Sequence, residues 1–225
     1  LMPTRPRLAV LASGSGSNLQ AIHDDLQRRG AASPIDLALV VSDRIRAGAL
    51  DRARGWGVPA VHLPRDENDS LGALLASHGI THVALAGYLR LIPAETVRAF
   101  AGRMVNVHPA LLPAFGGPGM YGQRVHEAVI AAGVRLTGPT VHFVTEHYDE
   151  GAIIAQWPVP VHQDDTAATV AARVLEAEHR LFPWCIAELA RGAISLGADG
   201  RTHGVALYDF ARFQPDPNDR HPFAG

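Results

Sequence analysis

The first half of the chain alternates short, continuously apolar runs with segments in which apolar residues recur every three or four positions. Such runs are typical of strands buried on both faces, and such segments are typical of helices with one buried face. The pattern predicts strands at 8–12, 37–41, 58–63, 82–87 and 104–108. Because helical segments separate them, we predict an α/β fold: a mostly parallel, doubly wound (Rossmann-like) sheet with helices on both faces.

The pattern changes after Pro109. Glycines and prolines crowd residues 111–122, which predicts a loop, and a helix is predicted at 124–132. Apolar runs at 140–145 and 153–161 then predict an antiparallel hairpin with a long connecting loop.

A long helix is predicted near the carboxyl end, from Thr166 as its N-cap towards Ala190. Pro183 lies inside this helix and is expected to kink or split it, because proline removes a backbone donor. Residues 197–225 are polar and contain three prolines, which predicts an irregular tail.

Composition bounds the class of protein. The 225 residues, 47% of them hydrophobic, can form one full core, and we predict a single domain (1–225) with its core at about 7–195. A net charge of −2 argues against binding to nucleic acid or to an anionic membrane. No apolar run reaches the ~20 residues of a membrane helix, and residues 1–7 are too polar for a signal peptide. A single cysteine, Cys185, excludes an internal disulfide and indicates the cytoplasm.

The first candidate site is the run Ser-Gly-Ser-Gly-Ser-Asn at 13–18, between the first strand and the first helix. Unpaired N–H groups at a helix N-terminus attract phosphate, and glycines let the backbone approach it closely. Leu19 stands where the dinucleotide-binding fingerprint has its third glycine, so that motif is incomplete. We predict a phosphate site, with a plain turn capped by Ser17 or Asn18 as the alternative.

The second candidate site is the end of the fifth strand, where Asn106 and His108 project from the same face. An amide and a titratable imidazole at the carboxyl end of a buried strand are typical of an α/β active site. The acidic segment 145–151 is either a solvated turn or the source of a carboxylate that contacts His108.

Three further residues have open roles. His142 either lines the same site or fills the core, and Glu178 and His179 form either a helix-surface pair or a contact with a ligand. No H-E-x-x-H or comparable ligand set is present, so no metal is expected.

Four segments, at 13–20, 85–92, 106–113 and 140–149, resemble folate-dependent formyltransferases, and the resemblance covers about 7–195. The Asn-x-His strand with a downstream Asp-x-Gly is shared by all such enzymes, including the deformylase and the initiator-tRNA formyltransferase. The Gly/Ser loop and the chain length select the phosphoribosylglycinamide (GAR) formyltransferases. The extra domains typical of the other two enzymes do not fit 225 residues.

The resemblance implies a role for each matching residue. Asn106 and His108 are expected to be the catalytic amide and imidazole, and Asp149 the carboxylate that raises the histidine pKa. Glu178 is expected to reach the GAR ribose. The loop that binds the GAR phosphate is expected to be Gly16, Ser17 and Asn18. The folate pocket is expected to consist of Leu89, Arg90, Leu91 and Ile92 with Thr145, Glu146, His147, Tyr148 and Asp149.

The implied reaction is transfer of the formyl group of 10-formyltetrahydrofolate, a co-substrate, to the amine of GAR in purine biosynthesis. The resemblance implies small-molecule substrates only, no metal, and a monomer or homodimer. The chain departs from the family at Ala110, where serine is common, and at 114–122, where a short turn is expanded. Three alternatives stay open: a deformylase that uses water as acceptor, a Rossmann-type nucleotide-binding protein, and a scaffold that binds without catalysis.

Overall fold

The computed structural model describes residues 5–204. Its strands, in chain order, are β1 (Arg7–Leu11), β2 (Asp36–Ser42), β3 (Ala60–His62), β4 (His82–Leu85), β5 (Met104–His108), β6 (Leu136–Thr137), β7 (Thr140–Phe143), β8 (Ile153–Gln156), β9 (Val159–Pro160), β10 (Ile194–Leu196) and β11 (Thr202–Gly204). Its α-helices are α1 (Ser17–Arg29), α2 (Gly48–Gly55), α3 (Leu71–Ser77), α4 (Ala94–Ala99), α5 (Gln123–Ala131) and α6 (Ala167–Ala190).

Seven strands form the central sheet, in the order β3-β2-β1-β4-β5-β7-β8. The first five are parallel, and β7 and β8 are antiparallel to their neighbours. Successive residues of β1 enter opposite cores: Leu8 and Val10 pack on one side of the sheet, and Ala9 and Leu11 on the other. A sheet buried on both faces explains the continuous apolar runs and confirms the predicted fold class, including the antiparallel hairpin.

The long helix α6 begins where it was predicted to begin. The Thr166 side chain accepts a hydrogen bond from the Thr169 backbone, and the Thr169 hydroxyl accepts one from the Thr166 backbone, which forms a capping box. The helix continues through Pro183, so the predicted split is wrong. Pro183 is buried together with Leu181 and Phe182, and this packing holds the helix together where the proline omits one backbone hydrogen bond.

Two further predictions on secondary structure are corrected. The strand predicted at 153–161 ends at Gln156, and the chain then enters β9, which pairs with β6 in a separate two-stranded sheet. Pro158 lies at this break and has no N–H to donate to a ladder. Within the predicted irregular tail, β11 pairs with β10, and residues 205–225 lie outside the described part.

No helix within residues 5–204 is long and apolar enough to span a membrane. The single-domain organisation stays a prediction.

Candidate active site

A cavity of about 490 Å³ lies at the carboxyl ends of β4 and β5. Leu85 ends β4 and His108 ends β5, and both line the cavity. Asn18 near the start of α1 and Glu178 in the middle of α6 line it as well. Open α/β sheets bind their ligands at this edge, so the cavity is the candidate active site.

Asn106, His108 and Asp149 meet in this cavity. His108 Nδ1 lies 3.4 Å from Asp149 Oδ2, and His142 Nε2 lies 3.6 Å from Asp149 Oδ1. Asp149 has a φ of +58°, a backbone conformation that Asp adopts more readily than most residues. The structure therefore brings the carboxylate next to the imidazole, although 40 residues separate them in the chain.

His142 belongs to the site and does not merely fill the core. Its Nδ1 lies 2.8 Å from the Phe143 carbonyl oxygen, which can only accept, so Nδ1 carries a hydrogen. Nε2, when it carries no hydrogen, accepts from Asn106 Nδ2, 3.0 Å away. An amide nitrogen has two hydrogens, so Asn106 keeps a second one for a ligand.

The net pKa of His108, which was expected to be raised by Asp149, is lowered in the structure. Burial lowers the pKa of His108 and outweighs the Asp149 carboxylate and the Phe115 carbonyl, which both raise it. Asp149 thus acts in the expected direction, but the net pKa of His108 lies below its ordinary value because the buried imidazolium loses its hydration. Burial raises the pKa of Asp149, but its contacts with His142, His108 and the Gly117 amide hold that pKa below its ordinary value.

The Gly/Ser loop forms the N-terminus of α1. Gly16 is the residue that precedes the helix, with a φ of +78° and no side-chain cap, so the alternative of Ser17 or Asn18 as cap is wrong. The first helical hydrogen bond runs from Gln20 N to Gly16 O, which leaves the preceding N–H groups without a helical partner. Of the three residues expected to bind phosphate, Asn18 lines the cavity, whereas Gly16 and Ser17 do not.

Asn18 and Glu178 join the first helix to the last. Asn18 Nδ2 donates to Glu178 Oε2 at 2.6 Å, and both side chains are buried. Burial raises the pKa of Glu178 to about 7, although the Asn18 amide acts against this. Asn18 Oδ1 is buried and has no hydrogen-bond partner among the described residues. Glu178 is therefore not part of a surface pair, and a polar pair of this kind inside a cavity is available to a ligand.

The segments expected to bind folate also reach the cavity, with one exception. Lining residues include Leu89, Arg90, Leu91, Ile92, Thr145, His147 and Tyr148. Glu146 does not line it, and its carboxylate instead accepts a hydrogen bond from Arg98 at 2.6 Å on the surface. Glu146 faces α4, whereas its neighbours Thr145 and His147 line the cavity.

Two residues that line the cavity were not predicted from the sequence to belong to the site. His126 on α5 and Tyr88 after β4 are buried, and His126 Nδ1 and the Tyr88 hydroxyl have no hydrogen-bond partner among the described residues. Burial, followed by the proximity of His108, lowers the pKa of His126. Nothing in the sequence distinguishes His126 from the other histidines, whereas Tyr88 lies within a segment that resembled the family.

No group of three or more His, Cys, Asp or Glu side chains within residues 5–204 could hold a metal ion.

Residues 6–186 match the model of the formyl transferase family. The chain is 43% identical over 203 residues to a chloroplastic phosphoribosylglycinamide formyltransferase of Vigna unguiculata, and the match covers 87% of this chain and 64% of that protein. A solved glycinamide ribonucleotide transformylase 1 of Symbiobacterium toebii superposes with a TM-score of 0.81 at 39% identity, over 91% of this chain and 96% of that one. A formyltetrahydrofolate deformylase of Pseudomonas syringae is 23% identical with a TM-score of 0.79, which shows a shared fold alone.

The chain therefore belongs to the formyl transferase family. Within that family it groups with the phosphoribosylglycinamide formyltransferases, as its sequence motifs indicated. The chain spans about two thirds of the length of the Vigna relative.

Proposed function

We propose that this chain transfers the formyl group of 10-formyltetrahydrofolate to the amine of GAR, a step of purine biosynthesis. The observation that carries the proposal is the meeting of Asn106, His108 and Asp149 in one cavity with Asn18 and Glu178. The first three residues suit formyl chemistry, and the last two suit a polar acceptor.

The acceptor amine attacks the formyl carbon, and negative charge develops on the formyl oxygen. The free N–H of Asn106 and a protonated His108 can both donate to that oxygen, and removal of one such donor often costs about 3 kcal/mol of transition-state stabilisation. His108 or a water molecule held by Asp149 can move the proton from the amine to the departing nitrogen. This route needs no covalent enzyme intermediate.

The two substrates occupy different walls of the cavity in this proposal. The N-terminus of α1, which reaches the cavity at Asn18, binds the GAR phosphate through Gly16, Ser17 and Asn18, and Glu178 binds the ribose. The segment Leu89–Ile92, together with Thr145, His147 and Tyr148, contacts the folate. We further propose a cytoplasmic location from the composition of the chain, and a monomer or homodimer that acts on small molecules from its resemblance to the family.

The test is a steady-state assay of the purified chain with 10-formyltetrahydrofolate, with and without GAR. We expect consumption of formyl-folate to require GAR, with formylated GAR as the product and little free formate. The His108→Asn variant serves as control and is expected to lose the activity. Rapid release of formate without GAR, unaltered when GAR is added, would overturn the proposal in favour of a deformylase.

A further inference from the structure

The turn at 114–122 contacts both His108 and Asp149 through its backbone. The Phe115 carbonyl oxygen lies 2.8 Å from His108 Nε2. Two residues further on, the Gly117 N–H donates to Asp149 Oδ2 at 2.9 Å. One short segment of main chain therefore holds the imidazole from one side and the carboxylate from the other.

The contact with Phe115 distinguishes the two nitrogens of His108. A carbonyl oxygen only accepts hydrogen bonds, so Nε2 must carry a hydrogen in both the neutral and the charged imidazole. Nδ1 is then the nitrogen that gains and loses a proton. It lies 3.4 Å from Asp149 Oδ2, a longer contact than the one between Nε2 and Phe115.

The backbone of the turn is specialised for these contacts. Phe115 has a backbone φ of +56°, a value that residues other than glycine, asparagine and aspartate rarely adopt. A Cβ on Gly116 would lie 2.5 Å from Leu112 Cδ2 and 3.2 Å from Asp149 Cβ. A side chain at residue 116 would therefore require the end of Leu112 to move and would press against Asp149.

We propose that this turn is a positioning device for the reaction: the Phe115 carbonyl fixes His108 as the Nε2–H tautomer, and the Gly117 amide orients Asp149, so that Nδ1 is the nitrogen that exchanges a proton with the substrate. This inference rests on the proposed function for its kinetic part only.

The surroundings of His108 agree with this assignment. Asp149 contacts it from the loop after β7, His142 approaches from β7, and His126 approaches from α5. Of these groups Asp149 is the one acid, and it faces Nδ1. A proton on Nδ1 therefore has an acceptor next to it, whereas the hydrogen on Nε2 stays with a carbonyl that cannot take it.

The first test needs no substrate. Long-range ¹H–¹⁵N correlation spectra of the ¹⁵N-labelled protein report which imidazole nitrogen is protonated, and the His108→Asn variant assigns the His108 signals. At a pH where His108 is neutral we expect a protonated Nε2 and an unprotonated Nδ1. The opposite tautomer would overturn the proposal, whatever the acceptor of the formyl group proves to be.

The second test compares Phe115→Asn with Phe115→Val. Both variants lose the benzyl group, but asparagine tolerates a positive φ. Valine is β-branched, and we expect it to lower the population of the positive-φ conformation at residue 115 by about tenfold. We expect Phe115→Val to lower kcat about tenfold relative to Phe115→Asn, with similar KM values and an increased signal of the Nδ1–H tautomer. Equal kcat values and equal tautomer populations in the two variants would contradict a positioning role, and their melting temperatures separate this effect from unfolding.

Discussion

Replacement of Gly16 by alanine tests the link between the loop geometry and phosphate binding. Gly16 has a φ of +78°, and a Cβ there would lie 2.9 Å from both Cα and Cβ of Ala49. The left-handed backbone costs an alanine about 1–2 kcal/mol, and overpacking against a neighbouring backbone costs about 1–3 kcal/mol more. Since α2 contains Ala49, the overlap has to push α1 and α2 apart, which moves the N–H groups expected to bind phosphate.

We therefore expect Gly16→Ala to destabilise the protein by about 3 kcal/mol, which for a chain of this size lowers the melting temperature by about 6–12 °C. In the steady-state assay the KM for GAR should rise more than the KM for formyl-folate. Gly14→Ala is the matched control for stability, because a Cβ on Gly14 meets no atom within 4 Å. If Gly16→Ala were as stable as Gly14→Ala and changed both KM values equally, the reasoning would be refuted.

Two further predictions concern the ionisable groups of the cavity. Asp149→Asn removes a charge that raises the pKa of His108. We therefore expect kcat to fall about 10²-fold and the alkaline limb of the pH–rate profile to shift to lower pH. An unshifted limb argues against this electrostatic role. The folded-state pKa of Glu178, about 7, lies above its ordinary value of 4.5, so its protonated form stabilises the fold below pH 4.5 and this stability is lost as the pH rises through 7. Urea titrations measure the free energy of unfolding of Glu178→Gln and of the parent protein. Between pH 4.5 and 7 this free energy should rise for the variant, relative to the parent, by on the order of 3 kcal/mol. A difference between the two proteins that does not change with pH would contradict the raised pKa.

The elements with a strong local signal were predictable. The fifth strand was predicted at 104–108, which are its bounds in the structure, because its apolar run is bounded by polar residues and Pro109. Thr166 was predictable as a cap because capping depends on neighbouring residues alone. By contrast, α4 has only six residues, too few to show a helical period, and the sequence did not predict it.

The parts of the site that depend on distant contacts were less predictable. The bond between Asn18 and Glu178 joins positions 160 residues apart, and no local pattern distinguishes a buried glutamate on α6 from a solvated one. Glu146 lies outside the cavity lining because adjacent residues of an irregular loop can face opposite ways without a fixed period, and its contact with folate stays a prediction. The net pKa of His108 depends on how deeply the ring is buried, which the sequence does not report.

The loop that carries Asp149 has both ends fixed by the sheet. Phe143 N donates to Ala152 O at 2.9 Å, and Val144 N donates to Met104 O at 3.0 Å, so the chain leaves and re-enters the sheet at one place. The entropy of closing such a loop changes slowly with its length, by about 0.6 kcal/mol per doubling. An insertion or deletion in this loop therefore changes the closure entropy little, but it moves the carboxylate away from His108. A relative with a different loop length can close the same loop and still lack the carboxylate beside its histidine.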